Sequence, residues 1–221
     1  MSETANPVPS YFRQRTVAGI IHSLFANAEH GDLVSKNALH PIDVPVALHL
    51  LESAADSYAD VARDLQISSS TAHKSVQRLL VAGLLRRGFD GERAVNRQAL
   101  VEFLTHGVRY AFPAALGNKV RGVATAHAGP ALRESLVAED AVVWAAAHGE
   151  SEGSEIEPFW PKAAHVARTL PELYARLSAV DALRVGRARE RQLAVAYLTN
   201  AILQPRAVVS AHPPRQTPEH A

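Results

Sequence analysis

The stretch Tyr58–Arg87, YADVARDLQISSSTAHKSVQRLLVAGLLRR, decides the fold expected of the chain. Ser57 or Asp56 can cap a short helix over Tyr58–Gln66 whose Val61, Ala62 and Leu65 recur at the spacing that lines one helix face. After a turn around Ile67 and Ser68, a second helix from about Ser69 to Ala82 gathers Ala72, Val76, Leu79 and Leu80 on one side. His73, Lys74, Gln77 and Arg78 fall elsewhere. Gly83 suits the helix C-terminus, because a left-handed residue there costs glycine no Cβ clash. Leu84–Asn96 then reads as a hairpin turning at Asp90-Gly91, a dipeptide that tolerates positive φ. Such a two-residue turn sets Phe89 opposite Glu92, Gly88 opposite Arg93 and Arg87 opposite Ala94. Asn96 can cap a following helix with Leu100, Phe103, Leu104 and Val108, ending by Pro113.

On the N-terminal side, Ser10 can cap a helix whose Val17, Ile20, Ile21, Leu24, Phe25 and Ala28 form a broad apolar stripe. A break at Glu29–Asp32 follows, and Pro41 and Pro45 lead into a helix over Val46–Ser53. On the C-terminal side, Ala114–Pro130 with Gly117, Gly122 and Gly129 fits a loop, a short strand or a frayed helix, and Ala141–Ala147 fits a strand or a helix. His148–Pro161 reads as a loop by Gly149, Gly153, Pro158 and Pro161. Thr169 and Glu172 have capping-box spacing. From there Leu173, Leu177, Val180, Leu183, Leu193, Tyr197, Leu198 and Ile202 predict one long helix or two, parted at Asp181 or Gly186. The organisation expected is a polar tail over 1–9, a first domain over 10–112, a dimerisation, sensor or partner region over 113–204, and a Pro-rich tail over 205–221.

Ala62 and Leu65, Ile67 after the turn, Ser70 and Thr71 opening the second helix, and Leu79 with Ala82-Gly83-Leu84-Leu85 carry a resemblance. They resemble the helix-turn-helix of winged-helix transcription regulators of the MarR-like and ArsR-like group, over about residues 46–97. Gln66 stands where such motifs have Gly in the turn, and Ala72 where they have Val or Ile. The resemblance implies a mainly α fold: a winged helix-turn-helix with a small β-hairpin wing and a mostly helical C-terminal region. It also implies a second helix that reads the major groove and wing arginines that meet phosphate or the minor groove. The implied contacts are Ser69, Ser70, Thr71, His73, Lys74 and Gln77 on the helix, and Arg86, Arg87 and Arg93 on the wing.

Composition is compatible with this and excludes other classes. The chain has 221 residues, 23 Lys plus Arg against 22 Asp plus Glu, no Cys, and 47% hydrophobic residues. Without thiols there is no disulfide framework, Cys-ligated zinc or cysteine nucleophile. Eleven His without i,i+4 pairs give no zinc spacing, and no serine elbow or phosphate loop is present, so neither metal, cofactor nor catalytic residues are expected. No leader or membrane span is expected either, which suggests a cytoplasmic protein. The near-neutral total conceals local charge: 6 − 2 = +4 over residues 71–97, −7 over 134–157, and 4 − 1 = +3 over 183–191. Arg184, Arg187 and Arg191 fall at i, i+3 and i+7 and would form one helix face, able to meet an anion or a partner unless it pairs internally.

The expectation is a sequence-specific regulator binding double-stranded DNA as a homodimeric repressor, with the Val17–Ala28 stripe or the Leu173–Ile202 helix as dimer surface. A partner-binding antitoxin whose winged helix autoregulates its operon is the alternative. A repressor sensing a small-molecule effector near Trp144, Phe159 and Trp160 is a third.

Overall fold

Ser57 and Asp60 close a capping box, the Ser57 hydroxyl accepting from the Asp60 N–H and the Asp60 carboxylate from the Ser57 N–H, each at 3.2 Å. This starts helix α2 (Tyr58–Leu65) in the computed structural model, which describes residues 37–52, 57–88, 92–136 and 140–204. The Ser10–Ala28 helix, the tails and the Asp90-Gly91 turn lie outside the described residues. The residues from Leu39 onward form one compact unit.

Helix α1 (Asp43–His49) precedes α2 and starts earlier than the Val46 expected, with Pro45 inside its first turn, where a missing N–H breaks no helical bond. Every residue of α1 is buried, including Asp43. Helix α2 ends at Gln66, which takes the left-handed conformation at φ 51° and ψ 46°, and the Ile67 N–H closes back onto the Ala62 carbonyl at 2.9 Å. Two residues later the Ser68 hydroxyl accepts from the Thr71 N–H at 3.0 Å and starts helix α3 (Ser69–Val81). Gly83, at φ 73°, ends it. Ala72, Val76 and Leu79 of α3 pack into the core beside Val61, Ala62 and Leu65 of α2. The Arg78 guanidinium reaches across to α1, donating Nε–H and Nη2–H to the two Asp43 oxygens at 2.7 and 2.6 Å.

Strands β1 (Leu85–Arg87) and β2 (Arg93–Val95) form the expected hairpin, displaced by one residue. Leu85 faces Val95, Arg86 faces Ala94 and Arg87 faces Arg93, and the Gly88 N–H donates to the Glu92 carbonyl at 2.8 Å. That bond leaves three residues, not two, in the connection, and a one-residue shift exchanges the faces on which side chains project. Asn96 then caps helix α4 (Arg97–Glu102), which runs through a π turn at Phe103–Gly107 into α5 (Val108–Ala111).

The second half departs most from expectation: three strands join its helices there, and the fold is a mixture of α and β. Strands β3 (Leu116–Thr125), β4 (Ala141–Ala145) and β5 (Ser151–Ile156) each pair with both of the others, closing a three-stranded barrel. β3 is antiparallel to β4 and to β5, whereas β4 and β5 run parallel. A ring of three strands has almost no interior, so backbones meet where larger barrels place side chains. A Cβ on Gly122 would lie 2.2 Å from the Trp144 carbonyl oxygen, and one on Gly153 2.3 Å from that of Ala141. Gly153 therefore marks close backbone approach within a strand, which corrects the loop expected over His148–Pro161.

Helices α6 (Ala163–Thr169), α7 (Pro171–Val185) and α8 (Ala188–Leu203) complete the chain. Thr169 does not cap α7: its hydroxyl donates to the His165 carbonyl, and the helix instead starts with Pro171 at its first position, after Leu170. The expected Leu173–Ile202 helix is two, parted at Gly186, where ψ reaches 156°. Leu173, Leu177, Val180, Leu183, Leu198 and Ile202 are buried within the chain itself, in a core continuous from Val44 to Ile202, while Leu193 and Tyr197 of the same stripe are half-buried. Among the described residues no helix is long and apolar enough to cross a membrane.

Candidate nucleic-acid interface

The capped start of α3 fixes which of its side chains reach solvent. Ser70, His73, Lys74 and Gln77 fall at i, i+3, i+4 and i+7 and share the face opposite the buried Ala72, Val76 and Leu79. Ser69, Ser70, His73 and Lys74 are exposed and Gln77 is half-buried. Thr71 is also half-buried, its hydroxyl 2.8 Å from that of Ser68, so it serves the cap. The structure thus brings five of the six helix candidates to one solvent-facing end of α3.

The wing candidates divide. Arg86 and Arg87 are exposed, with Arg86 Nη2 donating to the Asn96 side-chain oxygen at 2.7 Å. Arg93 is half-buried, its guanidinium 4.7 Å from the centre of the Tyr58 ring, which meets the His73 ring edge-on at 4.9 Å. A cation over an aromatic face is attractive, so Arg93 fastens the hairpin to α2 and α3. Sequence reasoning missed the ring contacts of Tyr58, and of Asn96 it gave the cap but not the contacts to the hairpin. Asn96 accepts from Arg86, donates to the Gly83 carbonyl at 3.0 Å and caps α4, fixing the hairpin at the end of α3.

Two other members of the expected basic patch face inward. Arg78 forms the buried pair with Asp43, and Arg97 donates to the carbonyls of Ile202 and Leu51. The positive groups left at the surface of this region are Lys74, Arg86 and Arg87. Nearby, Asp60 is held below the ordinary carboxylate range by hydrogen bonds from Ser57 first and then Arg63.

The expected stripe of Arg184, Arg187 and Arg191 is not a single face, because the helix breaks at Gly186 between the first two. Arg184 donates to Asp181 at 2.8 Å and to the carbonyls of Phe112 and Glu157, and stacks 4.4 Å over the Phe159 ring. Arg191 donates to the Gly186 carbonyl, while Arg187 is exposed at the start of α8. Asp181 itself is wholly buried, accepting from Thr125 Oγ1 at 2.9 Å and Trp144 Nε1 at 2.7 Å as well as from Arg184. Burial raises its pKa, and the Arg184 charge opposes that rise. With every oxygen engaged, this carboxylate ties β3, β4 and α7 together.

Trp144 is packed in the core. Phe159 and Trp160 edge an open groove of about 450 Å³ with Pro41, Pro113, Pro158 and Pro161. Among the described residues no group of three or more His, Asp or Glu is placed to hold a metal ion. The chain matches no family model, no curated protein and no solved structure.

Proposed function

We propose that the protein is a sequence-specific DNA-binding transcription regulator, a homodimeric repressor in which α2 and α3 act as a helix-turn-helix and β1–β2 as its wing. The observation that carries this reading is the solvent-facing start of α3. There Ser69, Ser70, His73, Lys74 and Gln77 stand clear of the core beside the exposed Arg86 and Arg87. A helix buried on one side and polar on the other can enter a major groove about 12 Å wide. Hydroxyl, imidazole, ammonium and amide groups there can hydrogen-bond base edges. The turn between the helices has three residues, Gln66–Ser68, as helix-turn-helix geometry requires. The glycine such turns carry is replaced by Gln66, which adopts the same left-handed conformation.

The wing supplies charge. Arg87 and Arg93 project to the same face because they are direct cross-strand partners. Arg93 is drawn onto the Tyr58 ring, so the charge a phosphate would meet on the wing is that of Arg86 and Arg87. Selection of bound DNA from a random pool, repeated across salt concentrations, tests the proposal. A regulator of this kind enriches a palindrome and loses affinity as salt rises. Recovery of no motif would overturn it.

A further inference from the structure

A second cleft, of about 530 Å³, lies away from the α3 face, between the barrel and helices α6 and α7. Its walls are Val123 and Ala124 of β3, the chain from His148 to Ser151, Ala167 and Arg168 of α6, and Tyr174 of α7, with Arg133 at its edge. That volume lies within the range of small-molecule sites. The Tyr174 hydroxyl donates to the Ala124 carbonyl and fixes one wall. Arg63, Lys119, Arg176 and Arg184 each pair with a carboxylate. Arg133 and Arg168 are exposed and their guanidinium groups make no hydrogen bond or ion pair among the described residues, although Glu150 lines the same cleft. Arg133 lies near enough to Tyr174 to oppose the rise in that phenol's pKa caused by burial.

We infer that this cleft binds a small organic dianion, a phosphomonoester or a dicarboxylate, between Arg133 and Arg168, with its carbon body against Val123, Ala167 and the Tyr174 ring. Two guanidinium groups, each offering parallel N–H donors, suit a ligand carrying two negative charges. His148 adds a third donor. The site has a route to α3. Helix α6, which holds Arg168, also holds His165, whose Nε2 lies 3.1 Å from Gln66 Nε2 in the α2–α3 turn. Just before α6, Trp160 Nε1 donates to the Leu65 carbonyl at 3.0 Å. A ligand that draws Arg168 inward acts on the helix that touches this turn; this last step rests on the DNA-binding reading.

Calorimetric titration of the full chain with phenyl phosphate, with phthalate and with neutral benzyl alcohol tests the site. At least one dianion is expected to bind while benzyl alcohol does not, and the two dianion arms separate phosphate from carboxylate recognition. R133Q and R168Q, with thermal unfolding checked, should each weaken binding about tenfold, and E150Q should tighten it. Absence of dianion binding, equal binding of benzyl alcohol, unchanged binding in R133Q and R168Q, or weaker binding in E150Q would each overturn the site. Affinity for the selected DNA, with and without saturating dianion, tests the coupling. At least a threefold change that disappears in R168Q is expected, and no change overturns the coupling while leaving the site. A protein that binds the dianion but no DNA overturns the regulator reading alone.

Discussion

Arg78→Met removes one half of a buried ion pair and keeps most of the volume of the stem. Asp43 is 1% exposed and Arg78 8%. With Arg78 gone, the Asp43 carboxylate retains the His40 N–H at 2.8 Å and loses both guanidinium bonds. An uncompensated buried charge costs about 3–5 kcal/mol, a large share of the roughly 5–15 kcal/mol by which domains are stable. At about 2 kcal/mol per molar urea, the unfolding midpoint followed by circular dichroism should fall by about 2 M. Asp43→Leu combined with Arg78→Met leaves neither charge, and apolar replacement of a buried pair is often neutral. The double variant should therefore recover to within about 1 kcal/mol of the wild type. Because the pair is shielded from solvent, the loss in the single variant should vary little with salt. A single variant within about 1 kcal/mol of the wild type, or a double variant as weak as the single, would refute the reasoning.

Other outcomes are equally definite. Gly83→Ala places a Cβ in open space, so only the strain of φ 73° counts, about 1–2 kcal/mol in urea denaturation. Gly122→Ala meets backbone at 2.2 Å and should abolish the folded barrel; a soluble variant of unchanged stability would show the strand pairing to be wrong. Lys74→Ala with Gln77→Ala should relax site preference in a repeated DNA selection, whereas Arg87→Ala should weaken all sites alike by anisotropy titration; identical preferences in the double variant would exclude that face as the base-reading one. Asp181 has a folded pKa raised above its ordinary 3.8 by burial, so its contribution is fully present below about 3.8 and declines as pH rises through the folded value. The stability advantage of wild type over Asp181→Asn should accordingly shrink as pH rises above about 4, and an advantage that grew with pH would contradict the assignment.

What the sequence makes legible is set by how locally each feature is encoded. Ser57, Ser68, Asn96 and Gly83 act on backbone groups within a few residues, and the helices they bound lie where capping and periodicity place them. The hairpin register is less local: Asp90-Gly91 suggested a two-residue turn, and the pairing of Gly88 with Glu92 chose three. Strand β5 was hidden because Ser151, Glu152, Ser154 and Glu155 give it no apolar alternation, and its buried positions are Gly153 and Ile156. A glycine chosen for the backbone opposite looks, in one dimension, like a glycine chosen for a turn. Arg184 carried a usable signal in Asp181, three residues earlier, a spacing that pairs side chains on one helix face. Helical periodicity alone placed Arg184 with Arg187, across a break that Gly186 introduces.

The same distinction governs what net charge says about DNA. The chain sums to +1, and residues 71–97 sum to +4, yet neither total is the charge a phosphate meets. Arg78 neutralises Asp43, Arg97 donates to two carbonyls, and Arg93 lies over Tyr58. Lys74, Arg86 and Arg87 remain exposed in this region. Each neutralised phosphate contributes about −0.9 to the slope of log affinity against log salt, so three such groups give about −3 for each copy. An interface with so little charge holds DNA weakly wherever the sequence does not fit. On the proposed reading, discrimination would then come from the hydrogen-bonding groups at the start of α3, and the caps and the Asp43–Arg78 pair that fix that helix would matter more to recognition than additional arginine.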